Sequence, residues 1–211
     1  CGLSMTRVWW YDAMQCDESS ATCHAQWQTI HIAALIPAVL SSLASIFIIV
    51  TAIKYRRELS NLTFGAQLPI FISICDLCYE IFHGGDHLHN VIHDYVSENA
   101  LCQLFGCMKP FFINCQTAWA LGVALYLNRT IFKQACAAPN FGKYNMYLHV
   151  CCWGIPSIIL LIGFSINAYG VEGPWCGIPN PLTDILMVDM WMVMAIIVLV
   201  INYAYIACRL K

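Results

Sequence analysis

Long apolar runs without acidic or basic residues restrict the possible folds of this chain more than any other feature. The run from Thr29 to Ile53 has roughly 25 residues, enough for a helix to cross about 30 Å of hydrocarbon. In lipid, backbone N–H and C=O groups must be paired within the segment, so such a run is expected to be an α-helix. Four further runs are expected to be helices too, at about 64–84, 100–132, 144–166 and 181–208.

Composition favours the same class of protein. Hydrophobic residues make up 60% of the chain and charged residues 10%, whereas soluble domains have roughly 45–50% and about 25%. A large soluble core would raise the first figure without removing surface charges. The net charge of −2 gives no basis for nucleic-acid binding. The predicted fold class is all-α, a polytopic membrane bundle, with residues 1–28 as an N-terminal segment and 29–211 as the transmembrane domain.

The basic residues gather on one side when five spans alternate across a membrane. By the positive-inside tendency that side is cytosolic, so the N-terminus is expected outside and Lys211 inside, and the expected location is the plasma membrane. Arg7 is the basic residue on the opposite side, where most acidic residues fall. The eight basic residues on the cytosolic side are Lys54, Arg56, Arg57, Arg129, Lys133, Lys143, Arg209 and Lys211.

Two cysteines flank the predicted spans on the outer, oxidising face. Cys102 lies at the start of the third run, and Cys176 lies in the short loop after the fourth. Their common location predicts a disulfide, the alternative being two unrelated thiols. Cys16 and Cys23 are expected to form a second, local disulfide, which leaves Cys1 for a partner outside this chain.

Ionisable residues inside apolar runs are candidates for a polar site, since each costs about 2.5–3.5 kcal/mol at mid-bilayer unless it is sheltered. Asp76, Glu80, His83 and His87 follow one another at spacings of four, three and four residues, which places them along one helix face. That face must point into the bundle. For Asp76 two interpretations stay open, a functional buried polar network and a hydrogen-bonded structural carboxylate.

Lys109 lies about two turns into the third run. Its ammonium is expected to pair with Glu80 or with Asp189 on the fifth helix, or to face an anionic group of a ligand. Pro110 is expected to kink this helix. Trp175 is interpreted either as lining the outer mouth of a pocket or as an interfacial anchor.

Four histidines and Asp86, close together in the sequence, raise the question of a metal site. His83 and His87, and again His89 and His93, have the HxxxH spacing that can bring two imidazoles to one zinc ion. Gly84-Gly85 is expected to interrupt the helix that the first pair needs, and the second pair is assigned to a loop. No metal and no cofactor are therefore predicted. A proton-sensitive outer rim or ordinary loop residues remain the alternatives.

The stretch Trp153-Gly154-Ile155-Pro156, with Tyr169-Gly170, Gly173 and Trp175-Cys176 after it, resembles a known family. It is similar to the fourth helix and second outer loop of the cyclic-AMP-receptor (class E) G-protein-coupled receptors, seven-helix proteins related to the secretin and adhesion groups. The segment Ile72–Leu77 resembles the SISDL pattern of their second helix. Gly177 departs from that family's usual WCWI loop sequence. Helices six and seven have no counterpart here, so the resemblance covers the first five helices.

The resemblance implies a receptor that senses an extracellular ligand and signals through a heterotrimeric G protein. Arg56, Arg57, Arg129 and Lys133 would then face the G protein. The expected pocket lies among helices two, three and five, and its candidate residues are Glu80, His83, Lys109, Trp175 and Asp189.

Two other functions stay open at this point. A proton or ion transporter would use Asp76, Glu80, Lys109 and Asp189 as a polar path. A structural or accessory subunit would retain a receptor-like scaffold within a larger membrane or extracellular assembly. An enzyme is not predicted, because the sequence has no nucleophile elbow, phosphate loop or HExxH motif.

Two glycosylation sequons test the orientation. Asn61-Leu62-Thr63 and Asn128-Arg129-Thr130 both fall on the predicted cytosolic side, so neither asparagine is expected to carry sugar. In glycosylating eukaryotic cells, endoglycosidase treatment should leave the electrophoretic mobility of the chain unchanged. The control variant Asp17→Asn creates a sequon with Ser19 in the N-terminal segment and should be glycosylated. Sugar on Asn61 or Asn128 would contradict the orientation.

Overall fold

The computed structural model describes residues 21–55, 67–93, 96, 99–133 and 141–209, without the side chains of 21–24, 130, 132–133, 141–145 and 209. In chain order the first elements are α1 (Ala21–Lys54), α2 (Leu68–His93), α3 (Ala100–Lys133), α4 (Phe141–Ser165), β1 (Gly170–Glu172) and β2 (Trp175–Gly177). The last helix, α5, begins as Pro181–Asp184, widens into a π-helical turn at Ile185–Asp189 and continues as Met190–Arg209.

The helices follow the apolar runs, with one correction in α2. The sequence predicts a loop from about Gly84 to Asn99, and this is wrong, because α2 continues to His93. A glycine in a helix costs about 0.5–1 kcal/mol relative to alanine, but here the missing side chain allows close packing. A Cβ added at Gly85 would lie 3.3 Å from Cε1 of Phe105 in α3. The two glycines therefore bring α2 close to its neighbours without ending it.

Four helices are long and apolar enough to cross a membrane. In the described part of the chain these stretches are Ala25–Lys54, Ala100–Arg129, Met146–Ser165 and Pro181–Cys208. The helix α2 is not among them, and it carries three acidic residues. Exposed isoleucine, leucine and valine side chains cover the outer faces of α1, α4 and α5. Such surfaces match lipid rather than water, so this is a multi-pass membrane protein with an all-α bundle.

The centre of the bundle is α3. In its most apolar window 39% of the residues are buried, against 11% in α1 and in α5, and it contacts α2, α4, α5 and both strands. Its Trp119 is fully buried, stacks on Phe71 of α2 with ring centroids 4.7 Å apart, and meets the edge of His149 in α4 at 5.0 Å. These aromatic contacts join three helices in one core.

The strands β1 and β2 form an antiparallel hairpin that covers one end of the bundle, hereafter the hairpin end. Val171 lies opposite Cys176 in the register, and Gly173 takes a φ of 60° in the turn, a conformation that favours glycine. The expected disulfide between Cys102 and Cys176 is present, with an S–S distance of 2.09 Å and Cα atoms 5.2 Å apart. It fixes β2 to the first turn of α3.

The glycine at position 177, where the sequence departs from the WCWI pattern, has a physical reason. A Cβ on Gly177 would overlap the carboxylate of Glu172, which lies across this strand. From the other side, a Cβ on Gly106 in α3 would lie 2.9 Å from the carbonyl oxygen of Gly177. Helix and hairpin therefore meet backbone to backbone, which only glycine at both positions permits.

The π-helical turn in α5 is fixed by a side chain from α3. Asn114 donates its Nδ2 hydrogen to the carbonyl oxygen of Met187 over 3.0 Å, and Trp191 donates its indole N–H to the carbonyl oxygen of Asn114 over 3.3 Å. A π turn breaks the regular backbone pairing of a helix. Asn114 provides a partner for Met187 within that turn and holds α5 against α3.

Gly106→Ala tests the backbone contact between α3 and β2. The added methyl group meets the Gly177 carbonyl, so the hairpin must shift. The free energy of unfolding in detergent should therefore be about 1–3 kcal/mol lower than that of the wild type. Gly154→Ala is the matched control, because its added Cβ meets nothing within 4 Å. Thermal unfolding should show a lower Tm for Gly106→Ala and an unchanged or higher Tm for Gly154→Ala. Equal Tm values for the two variants would contradict the contact.

Candidate ligand-binding site

A cavity of about 380 Å³ lies at the hairpin end, between α1, α2, α3, α5 and the hairpin. It has apolar walls and a small set of polar groups, which is the usual make-up of a ligand pocket. Its lining residues are Ile30, Ala34, Tyr79, His83, His87, Lys109, Pro110, Ile113, Glu172, Trp175, Cys176, Gly177, Ile178, Asp184 and Val188.

The ammonium of Lys109 is paired beside this cavity with Asp86, a carboxylate that the sequence groups with the histidines and not with Lys109. Lys109 Nζ lies 2.6 Å from Asp86 Oδ2, and Asp86 is fully buried. The same oxygen accepts the backbone N–H of Cys176 over 3.1 Å. Asn90 donates to Oδ1 of Asp86 and to the carbonyl oxygen of Pro174. One carboxylate thus connects α2, α3 and the hairpin.

Two buried histidines connect α1 to the same region. The Nδ1 atoms of His31 and His87 are 2.7 Å apart, so one ring donates a hydrogen bond and the other accepts it. His83 contacts His87 edge to face at a centroid distance of 4.6 Å, and Trp27 contacts His31 in the same way at 4.7 Å. His31 was missed at the sequence level, where a histidine in an apolar run is the one available signal.

Two carboxylates reach the cavity from its remaining walls, Glu172 from β1 and Asp184 from α5. Glu172 accepts the backbone N–H of Ile178 over 3.3 Å and hydrogen-bonds the Trp175 side chain. Burial raises the pKa of Glu172, and the negative charge of Asp184 raises it further. Lys109, the basic residue that lines the cavity, is paired with Asp86. Its charge lowers the pKa of Glu172 at longer range, an effect smaller than the two that raise it. Among the described residues, neither Glu172 nor Asp184 forms an ion pair of its own.

The structure separates the five residues predicted to form the pocket. His83, Lys109 and Trp175 line the cavity. Glu80 lies one turn before His83 and does not line it, and Asp189 is exposed. The counter-charge of Lys109 is accordingly neither Glu80 nor Asp189. Because the sequence predicts that the helix ends near Gly84, it places Asp86 in a loop with the histidines and not opposite Lys109.

The histidine pairs are also placed differently from the sequence expectation. All four histidines from His83 to His93 lie in α2, and the rings of His89 and His93 are 4.4 Å apart. Gly84-Gly85 does not separate the first pair. Among the described residues, no group of three His, Cys, Asp or Glu side chains is arranged to hold a metal ion.

Asp76 forms a second polar centre, deeper in the bundle. It accepts hydrogen bonds from Ser41 at 2.8 Å, from Ser45 at 2.5 Å and from Gln116 at 3.0 Å. The donors come from α1 and α3, so this carboxylate holds α2 between them. The hydrogen bonds show that the carboxylate joins three helices, and both interpretations of Asp76, a functional polar network and a structural carboxylate, remain predictions.

Of the residues predicted to face the G protein, to form the second disulfide or to lie in a sequon, the structure describes only some. Arg129 is half-buried near the end of α3, and Lys133 is the last residue of that helix. Asn128, in the second sequon, donates to Asn202 of α5, whose own amide donates to the carbonyl oxygen of Ala124. Arg56, Arg57, Asn61 and Cys16 lie outside the described residues, as does the side chain of Cys23.

Comparisons with known proteins give distant relatives. No family model matches the chain. It is 26% identical over 167 residues to cyclic AMP receptor-like protein A of Dictyostelium discoideum, covering 79% of this chain and 41% of that protein. It is also 23% identical over 147 residues to human G-protein coupled receptor 157, covering 65% and 42%. The mouse protein of the same name is 24% identical over 147 residues.

These similarities indicate a distant relationship to G-protein-coupled receptors. The chain spans less than half the length of the curated relatives it matches. The named relatives are receptors, and none of their names describes an enzyme. Structure and comparisons together describe a multi-pass helical membrane protein with distant receptor relatives. A disulfide-tethered hairpin and a cavity lie at one end of its bundle.

Lys109→Met tests the buried ion pair. It leaves the Asp86 carboxylate buried without its counter-charge, which should lower the free energy of unfolding by about 3–5 kcal/mol. The double variant Lys109→Met/Asp86→Asn removes the orphaned charge and should recover part of that loss. Thermal unfolding in detergent measures both, with the exposed Asp189→Asn as a control near the wild-type Tm. A Lys109→Met Tm equal to wild type, or a double variant no better than the single one, would contradict this role.

Proposed function

We propose that this chain forms the first five helices of a seven-helix G-protein-coupled receptor of the cyclic-AMP-receptor-like type. In this proposal α2 is the fifth membrane crossing, its carboxylates sheltered by hydrogen bonds to α1 and α3. The N-terminus and the hairpin end face the outside of the plasma membrane. Lys211 and the basic loop ends face the cytosol, in accord with the charge distribution.

The observation that carries the proposal is the cavity at the hairpin end. It lies where three helices, the hairpin and the start of α5 converge, and its volume of about 380 Å³ suits a small extracellular ligand. The disulfide from Cys102 to Cys176 and the Asp86 carboxylate hold the hairpin over it. The receptor relatives support this function independently.

In the proposed mechanism a ligand binds one arrangement of the helices more tightly and shifts the population towards it. Ile113 and Val188 line the cavity. Each is adjacent in sequence to a partner in the hydrogen bond between Asn114 and Met187, which joins α3 to the π turn of α5. A ligand that presses on these two side chains therefore acts next to a polar contact between the two helices. The other end of α3 carries Arg129, proposed to face the G protein with Arg56, Arg57 and Lys133.

The structure gives less support to the transporter alternative. Its polar path would need Asp76, Glu80, Lys109 and Asp189 in sequence, but Lys109 is paired with Asp86 and Asp189 is exposed. Asp76 is held by three hydrogen bonds, which favours a fixed carboxylate over a mobile proton carrier. The accessory-subunit alternative predicts stable co-purification with a large extracellular partner in the absence of any G protein.

Nucleotide exchange tests the receptor function. Membranes containing the full natural protein that includes this chain should accelerate GTP-analogue binding to added heterotrimeric G proteins several-fold over empty membranes. Arg129→Ala should lower that rate, because it removes a cation proposed to contact the G protein. Arg7→Ala, on the predicted outer side, is the matched control and should leave the rate unchanged. No acceleration with any G-protein subfamily, or ion flux that Asp76→Asn abolishes, would refute the proposal.

A further inference from the structure

The charges around the cavity are unequal. Its ionisable side chains are Tyr79, His83, His87, Lys109, Glu172 and Asp184. The positive charge of Lys109 is balanced by Asp86 at 2.6 Å. Among the residues that the structure describes, neither Glu172 nor Asp184 forms an ion pair, although the charge of Lys109 favours the ionised form of Glu172 at longer range. With its imidazoles neutral and both carboxylates ionised, the cavity therefore has an excess of negative charge.

An anionic ligand group does not suit this arrangement. To reach Lys109 it would have to compete with Asp86, which is fully buried and also accepts the Cys176 N–H. Separating Lys109 from Asp86 would leave a buried carboxylate without its counter-ion, which is strongly unfavourable. The anion would also approach the carboxylates of Glu172 and Asp184.

A cationic ligand group, by contrast, is attracted by the carboxylates of Glu172 and Asp184. Burial raises the pKa of Glu172 and the charge of Asp184 raises it further, which together outweigh the opposing effects of its hydrogen bonds and of Lys109. A second cation next to Glu172 would therefore favour its ionised form. A cation between the two carboxylates would relieve their repulsion. Glu172 is already held in place by the N–H of Ile178 and the side chain of Trp175. Its carboxylate is thus fixed before a ligand arrives, which lowers the entropy cost of binding.

The rest of the lining suits an apolar body. Tyr79 and Trp175 provide aromatic rings, and Ile30, Ile113 and Val188 provide aliphatic surface. Aromatic faces attract organic cations as well as apolar groups. The volume of about 380 Å³ is near the lower end of the range for ligand pockets, roughly 300–1,000 Å³. The occupant is accordingly small.

We propose that the cavity binds a small organic cation, an aromatic or aliphatic body with one ammonium group placed between Glu172 and Asp184. This inference rests on the proposed receptor function for its biological meaning, and it names the ligand class for that site. The ammonium connects β1 to the first turn of α5, so binding joins the hairpin to the helix that contains the π turn.

Three probes of similar shape and different charge test the ligand class. They are 2-phenylethylammonium, the neutral 2-phenylethanol and the anionic 3-phenylpropanoate, each titrated at pH 7.4 into the full chain in detergent. The ligand-dependent rise in Tm gives an apparent Kd. The ammonium should bind at least about tenfold more tightly than the alcohol, which lacks the charge-assisted contact. The anion should give no shift.

Two substitutions locate the site. Glu172→Gln keeps an acceptor for the Ile178 N–H, and Asp184→Asn keeps the size of its side chain. Each should weaken ammonium binding by about tenfold and leave alcohol binding nearly unchanged. Asp189→Asn is the matched control, because it removes an exposed carboxylate of the same helix that does not line the cavity. Because Asp189 acts on Asp184 through its charge and does not line the cavity, this variant should change the ammonium affinity much less than the two lining substitutions do.

Several results would overturn the inference: equal binding of ammonium and alcohol, preferential binding of the anion, no cation-dependent shift, or ammonium binding that neither substitution weakens. The assay contains no G protein, so it is independent of the coupling test. Cation-selective binding without nucleotide exchange would refute the receptor function and keep the ligand class. Nucleotide exchange without cation-selective binding would refute the ligand class and keep the receptor function.

Discussion

The buried carboxylate of Asp86 is the constraint on which the hairpin end depends. It is fully buried and receives the ammonium of Lys109 and the amide N–H of Cys176. A buried carboxylate without partners is costly, so these contacts fix the relative positions of α2, α3 and the hairpin. The disulfide from Cys176 to Cys102 holds the same strand to α3 by a covalent bond. At Cys176, a hydrogen bond to the Asp86 carboxylate and a covalent bond to Cys102 therefore define the boundary of the cavity at the hairpin end.

The sequence predicts the helices, which lipid requires, and the disulfide between Cys102 and Cys176. Apolar runs of membrane-spanning length can form little besides helices, because unpaired backbone groups are not tolerated in hydrocarbon. The same argument explains the error in α2. Gly84-Gly85 suggests a break under the rules for helices in water, where glycine is unfavourable. Here Gly85 lies against Phe105 and Gly84 lies 3.7 Å, measured from an added Cβ, from Cβ of Ala38, so close packing stabilises the helix.

That single boundary error determined how the site was interpreted. With α2 ending at Gly84, Asp86 falls in a loop, and the expected partner of Lys109 is Glu80, Asp189 or an anionic group of a ligand. With α2 continuing to His93, Asp86 and Asn90 lie one turn apart and both reach the hairpin. The meeting of Glu172 and Asp184 at the cavity could not be derived from spacing at all. It depends on how a three-residue strand and the start of α5 are placed by tertiary contacts.

The π turn of α5 gives the cavity a connection to the rest of the bundle. A π turn has weaker backbone pairing than an α-helix, so its residues can rearrange at lower cost. In this protein the turn includes Met187 and Val188, of which the first is bound by Asn114 and the second lines the cavity. Further along α5, Asn202 is bound to Asn128 and to the carbonyl oxygen of Ala124 in α3. A small rotation of α5 at the π turn must therefore either be carried by α3 or break these amide contacts. If a ligand favours one of the two arrangements, its binding energy acts on the whole interface between α3 and α5, and this is the physical basis on which a signal could cross the bundle.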